Sequence, residues 1–310
     1  MMLPTGPALR RLAKQGLHST GYYRLRLSQV EFPGVAVLCY HGIRGDESGA
    51  LPFHDLHVAH SAFEGHCRVL RECCSPISAA QLLAALDGAP LPPRPVLVTF
   101  DDGYRSVLDH GLPILEEHGI PAVVFVYVAP IEHGEHFWFD SVCRRRGVEA
   151  VVAARGVPIA EWRAIAEGAA DATHEADVHR PMTVEELRRL ASSPLIEVGG
   201  HTMTHPTLAL ASVEEQRGEI ETCRDALEAL TGKRPAGFAY PYGLRPGDYS
   251  SETVTLIAEA GFQYAFSTRQ QFARRDCNRF EIPRFVMLDG IDEAELAHRL
   301  AHSWHVPATP

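Results

Sequence analysis

The sequence predicts an α/β fold, a distorted or incomplete (β/α) barrel of seven to eight mainly parallel strands. Three observations predict it. Short, almost wholly apolar runs recur along the chain, and helical patterns separate them. The chain also has 310 residues, 45% of them hydrophobic, enough for one large core. Apolar runs of this length suit strands covered on both faces. Regular alternation with helices implies parallel strands joined by crossovers.

The strand runs fall, in order, at residues 35–40, 96–100, 122–127, 195–198, 236–240, 263–266 and 282–286, with a weaker one near 75–78. Helices are expected between them. One spans 61–74, opened by Ser61 with Glu64 three residues on, the pattern of a capping box. Others span 78–86 and 104–118. The next, 183–191, has Thr183 and Glu186 as a second capping box. The helix over 212–230 puts Val213, Ile220, Leu227 and Leu230 on one face, with Gly232 just past its end. Helices over 250–260 and 292–302 complete the set. Residues 130–182 break the rhythm and read as a helical insertion between two barrel strands. The expected organisation is a basic helical leader over 1–33 and a barrel domain over 34–310.

Charge is unevenly placed. The chain carries −10 overall at a pI near 5.9, which argues against general nucleic-acid binding. Residues 1–30 hold Arg10, Arg11, Lys14, Arg24 and Arg26 with no acid, so they carry +5 and the rest −15. With Leu9, Leu12, Leu17, Tyr22, Tyr23 and Leu25, it reads either as a helix packed on the domain or as a peripheral membrane contact. Seven cysteines without framework spacing read as reduced thiols. No secretory pattern is visible, and no apolar run is long enough to span a bilayer. The expected location is cytoplasmic, with peripheral contact to the inner face of the membrane as a variant.

Two motifs carry chemistry. Asp101 and Asp102 follow the run over 96–100 directly, at the strand end where barrels build active sites. Adjacent carboxylates repel, so the pair calls for a cation or an arginine. Alone, Asp-Asp-Gly is also an ordinary turn. The second motif, His201-Thr-Met-Thr-His205, follows another strand and the pair Gly199-Gly200, which permits a tight or unusual backbone path. Histidines four apart on a helical turn can share a metal. Together, one Asp and two His supply three ligands and leave a position for water, with the second Asp free to act as base. These are the parts for metal-assisted amide or ester hydrolysis. The donor set suits Zn2+ best, with Co2+, Ni2+, Mn2+ and Fe2+ as alternatives.

The segments 99–103 and 201–205 resemble the first two motifs of the polysaccharide deacetylases, carbohydrate esterase family four with its NodB-homology domain. The resemblance runs over roughly residues 34–288. It implies a distorted (β/α) barrel, Asp101 as general base, and Asp102, His201 and His205 on a metal. The third motif appears as residues 239–243, where the resemblance gives the Tyr242 N–H to the oxyanion. The family arginine that orients the base is absent, because Ala239 occupies its place. Arg284, on a late strand, is the candidate to replace it. The family's acid is usually a His in a Leu-x-His motif, which Leu296 and His298 match in letters but inside a helical pattern expected to face solvent. His41, at the end of the first strand beside Tyr40, is the stronger candidate for the acid. Trp138 and Asp140 are weaker candidates for lining a sugar cleft, with a core role equally open for Trp138. His54, His57 and His60 match no ligand set, and Tyr104 is expected to pack beside the site.

The expected activity is therefore N-deacetylation of an amino sugar in an oligosaccharide, glycan or lipid-linked glycan. The alternatives are a deformylase or O-acetyl esterase on a lipid-linked sugar, or an inactive glycan-binding barrel.

Overall fold

The computed structural model describes residues 6–45, 52–167, 179–302 and 304. Its elements, in chain order, begin with α1 (Gly6–Ser19) and α2 (Tyr22–Ser28). Then come β1 (Ala36–Tyr40), β2 (Gly42–Arg44), β3 (His57–Ala59), α3 (His60–Cys73), β4 (Ser75–Pro76), α4 (Ala79–Leu86) and β5 (Pro95–Phe100). The middle holds α5 (Leu112–His118), β6 (Ala122–Val126), α6 (Ala129–His133), α7 (Trp138–Arg146), α8 (Val148–Arg155), α9 (Ile159–Glu167), α10 (Val184–Ser192) and β7 (Ile196–Gly200). The last part holds α11 (Val213–Thr231), β8 (Gly237–Ala239), α12 (Ser251–Glu259), β9 (Tyr264–Phe266), β10 (Phe285–Val286) and α13 (Glu293–Ala301).

The main sheet is wholly parallel and runs β10-β1-β5-β6-β7-β8-β9, with β4 beside β5. It curls as expected for an incomplete barrel. A parallel bridge from Phe266 to Ile282, three residues ahead of β10, brings the two ends of the sheet towards each other. β1, β5 and β6 are buried at every position, which explains why their sequences do not alternate. A small sheet of β2 and β3 was not expected, since three residues give too short a pattern to read.

Helix ends follow the capping rules in most places. Thr183, Ser212 and Ser250 each form a capping box, Asp292 caps α13, and Gly232 closes α11 in the left-handed conformation. Three expectations are corrected. The box at Ser61 does not form: α3 starts one residue earlier, on Ala59 with no side-chain cap, because β3 leads straight into it. The helix expected from residue 104 starts at Arg105 but is interrupted by a π turn over 107–111 before it continues as α5. Gly199 and Gly200 lie inside β7 rather than in an unusual turn. Their missing side chains make room: a Cβ on Gly199 would sit 2.5 Å from the Phe125 ring and 2.8 Å from the Gly237 carbonyl.

The segment between β6 and β7 forms α6 to α10, and α7 packs on α8 and α9. The leader helices pack on α13, where Tyr23 and Leu27 of α2 are fully buried. None of the described helices is long and apolar enough to cross a membrane.

The glycine contact gives a stability prediction. Gly199→Ala should lower stability by about 1–3 kcal/mol, since ring and carbonyl must both shift. Urea unfolding followed by circular dichroism measures this, and an unchanged midpoint would contradict the packing described.

Candidate active site

His41, Asp101, Asp102, His201, His205 and Tyr242 stand just past the C-terminal tips of sheet strands or close behind them, Arg284 directly precedes β10, and His298 lies on α13. The Asp101 N–H donates to the Tyr40 carbonyl and the His201 N–H to the Val126 carbonyl, so ladder bonds carry both motifs past the strand ends. The chain then bends sharply. Asp102, Thr202, His205 and Tyr242 have φ of 72°, 68°, 63° and 61°. Left-handed backbone costs a residue with a Cβ about 1–2 kcal/mol. Four such residues around one cleft mark stored strain at a functional centre.

The His201–His205 loop is clamped from α11. The carboxylate of buried Glu219 accepts from the Thr204 N–H at 2.8 Å and from its hydroxyl, while the Glu219 carbonyl accepts from the Met203 N–H. Thr202 Oγ1 accepts from the His205 N–H at 2.9 Å. The two imidazoles are thereby fixed by main-chain bonds, not by a regular helical turn.

Asp102, His201 and His205 converge. Both Nε2 atoms lie 3.5 Å from Asp102 Oδ1, and the ligand atoms of all three lie within 4.8 Å of one another. His201 Nδ1–H donates to the Ala239 carbonyl at 2.7 Å, which turns Nε2 towards Asp102. Buried His205 Nδ1 has no hydrogen-bond partner among the described residues. Burial, then His201, lower the His205 pKa to about 3, so its imidazole is held neutral, the form that can coordinate. Burial also opposes charge on His201, but Asp102 and Asp101 outweigh it and raise its pKa. Burial works against ionised Asp102 as well, yet the hydrogen bond from His201 and the nearby imidazoles lower its pKa. A carboxylate and two imidazoles, preoriented and almost fully buried, fit a divalent ion of borderline softness.

Asp101 belongs to a different constellation. Arg284, wholly buried, donates from both guanidinium NH2 groups to its two oxygens, each at 2.7 Å. The same guanidinium reaches Thr99 Oγ1 and the Ser267 carbonyl. Burial pushes the Asp101 pKa up, but Arg284 overrides it and holds the carboxyl well below the usual range. Cys39 adds an S–H donor 3.3 Å from Asp101 Oδ2. Arg284 thus stands on the carboxylate that the absent arginine at position 239 was expected to orient.

His41 lines the same cleft, and its ligand atom lies within 4.8 Å of those of Asp101 and Cys39. Its Nδ1 is buried without a partner among the described residues. The Tyr242 N–H likewise has no acceptor among the described residues, and the Tyr242 ring packs edge-on to His205 at 4.9 Å. His298 is elsewhere: half-buried on α13, it pairs through Nδ1 with the Tyr23 hydroxyl at 3.1 Å. The expectation that it faces solvent is corrected too, because α2 covers it.

The insertion forms one wall of the cleft, but not with the residues expected. Trp138 is buried against Phe139 and Trp162, and Asp140 is buried near Tyr104; neither lines the cleft. Phe139, Val151, Val152 and Arg155 do, opposite Phe53 and Leu56. Arg155 stacks on the Tyr242 ring at 3.6 Å and pairs with Asp248. Sequence reasoning missed Arg155 because it sits in an alanine-rich helix without a motif. It also missed Cys39, although strand pairing sets that residue beside Thr99, two positions before Asp101. His54, His57 and His60 form no ligand set: His57 packs edge-on to Tyr104 and His179, while His54 faces Asp289.

The comparisons with known proteins agree with this geometry. The polysaccharide deacetylase family model matches residues 88–265. The chain is 22% identical to the Bacillus subtilis protein YxkH over 259 residues, covering 82% of this chain and 72% of YxkH. It is 22% identical over 198 residues to a Staphylococcus aureus poly-beta-1,6-N-acetyl-D-glucosamine N-deacetylase, covering 64% of this chain. The match spans only 56% of that relative's length. Among solved structures, the Streptococcus pyogenes deacetylase PplD, in complex with acetate, superposes with a TM-score of 0.64 at 18% identity. That match covers 86% of this chain and 98% of PplD, and it shows the shared fold.

The buried ion pair yields a prediction with a definite pH sign. Arg284→Met leaves Asp101 buried without its partner and should cost about 3–5 kcal/mol at neutral pH. Wild-type Asp101, with its pKa depressed, keeps its stabilising contribution until the pH falls through that low value. In the variant, burial raises the Asp101 pKa, so protonation relieves the penalty as pH falls from about 7 to 4. Urea unfolding across that range should show the two proteins converging in acid. A pH-independent gap would contradict the pairing.

Proposed function

The chain belongs to the polysaccharide deacetylase family, and on that premise we propose that it hydrolyses the N-acetyl amide of an amino sugar. The observation that carries this reading is the metal-type triad of Asp102, His201 and His205 beside an Asp101 locked by Arg284. A divalent ion on that triad would polarise the acyl carbonyl and make the attacking water more acidic. Zinc suits the donors best, with Co2+, Ni2+, Mn2+ and Fe2+ as alternatives.

The chain's own groups have separable tasks. Asp101 is held ionised and in one plane, ready to take a proton from the attacking water. Arg284 positions it and is not itself a proton carrier. The Tyr242 N–H offers a fixed donor to the oxygen where negative charge develops. His41, lining the same cleft with an unpartnered Nδ1, can return a proton to the departing nitrogen. The apolar wall of Phe53, Leu56 and Phe139 suits a short acyl group and excludes water from it.

The staphylococcal relative's name supports N-acetylglucosamine in a polymer as the substrate class. A formyl amide or an O-acetyl ester would use the same groups. The inactive-barrel reading loses its main support, because Arg284 occupies the role that the change at position 239 left open.

The test is acetate release by the zinc-loaded protein from N-acetylated sugars, short oligomers and their lipid-linked forms, with formyl and O-acetyl analogues beside them. Asp101→Asn should bind zinc as the wild type does and lose roughly 10²–10⁴-fold in turnover. His205→Ala should instead lose zinc, as read by metal analysis after dialysis. Undiminished turnover in Asp101→Asn would remove Asp101 from the mechanism.

A further inference from the structure

The leader helix α1 is turned inside out relative to an ordinary surface helix. Arg11, Lys14, Gln15 and His18, spaced i, i+3, i+4 and i+7, form one face. All four bond to the start of α13: Arg11 and Gln15 to Asp292, Lys14 to Glu295 and His18 to Glu293. The face directed at the protein is therefore the polar one. Leu9, Leu12, Ala13 and Gly16 have the same spacing on the other side, and all are exposed. Leu9 and Leu12 are 58% and 57% exposed. A solvated helix of a globular domain has its apolar stripe inward. Here α13's acids hold the opposite orientation.

The second helix continues the pattern. Tyr23 and Leu27 anchor α2 in the core, while Tyr22 and Leu25 point out, Leu25 at 63% exposure. Arg10, Arg24 and Arg26 are exposed around these side chains, and residues 1–30 contain no acid. We infer that α1 and α2 together form a docking surface for an anionic lipid bilayer, with the leucines at the headgroup–acyl boundary and the arginines on lipid phosphates. Leucines bordered by arginines on a convex helical face are the chemistry of an interfacial helix. Self-association through this face would instead oppose two copies of residues 1–30, each with five positive charges and no acid.

The α1 part of the surface, bonded to the start of α13, lies towards the barrel end that carries the cleft. α13 begins beyond the C-terminal tip of β10, and Asp289 in the intervening turn pairs with Arg44 and faces His54. Phe53 and Leu56, on either side of His54, line the cleft.

The experiment is cosedimentation of the full chain with phosphatidylcholine–phosphatidylglycerol vesicles, against pure phosphatidylcholine vesicles. The wild type should pellet with the anionic vesicles only, and less so as salt rises. L9E/L12E should weaken binding at least roughly tenfold, and Leu25→Glu should act in the same direction. R10Q/R26Q should reduce both the affinity and its salt dependence. All these positions are exposed, so unchanged melting temperatures confirm intact folds. Wild type left in the supernatant with both vesicles would overturn the inference, as would pelleting that both glutamate variants leave unchanged. A dimer in sedimentation velocity that L9E/L12E dissolves, without vesicle binding, would assign the face to a second copy of the chain.

Discussion

The site depends on one buried ion pair. Arg284 and Asp101 meet through two 2.7 Å hydrogen bonds, both residues almost completely buried. Neither charge would be tolerated there alone, since burial strongly penalises each without its partner. Together they keep a carboxylate ionised next to a second one, Asp102, which like-charge repulsion would otherwise forbid. The triad's imidazoles complete the balance: His201 raises its own affinity for protons by standing against both acids. The pair also ties β10, where Arg284 stands one residue ahead of the strand, to the tip of β5 across the intervening β1.

Around this pair the backbone is held in conformations that it would not choose. Asp102, Thr202, His205 and Tyr242 are all left-handed. Bonds hold each of them: the Tyr127 N–H donates to the Asp102 carbonyl, the His205 N–H to Thr202 Oγ1 and the Thr268 hydroxyl to the Tyr242 carbonyl. The rigid sheet and the buried Glu219 hold the loops, and the loops hold the imidazoles. This division explains why short, plain strands can carry so specific a constellation.

Two additions surround the barrel, and the leader departs from the ordinary rule of burial. The insertion uses α7 and α8 to roof the cleft with Phe139 and Val151, converting an open rim into a walled one. The leader presents its polar face inward and its leucines outward. Both orientations are set by partners distant in sequence, the strand tips for one and the acids of α13 for the other.

The sequence by itself determined the parallel sheet, the order of its strands along the chain, most helix caps and the residues of the metal-type triad. These are legible because they rest on local periodicity, on side chains within four residues of one another, and on motif letters. Only the tertiary structure decided the rest. It joined Arg284 to Asp101, 183 residues apart. It chose His41 over His298 for the cleft, because α2 captures His298 against Tyr23. It put Phe139 and Arg155 on the wall where Trp138 and Asp140 were candidates, since the packing of α7 on α9 takes Trp138 into the core. It set Gly199 in a strand, where contact with a ring on β6 and a carbonyl of β8 matters more than backbone freedom. Contacts between distant segments leave no periodic trace in a chain, so packing alone could assign them.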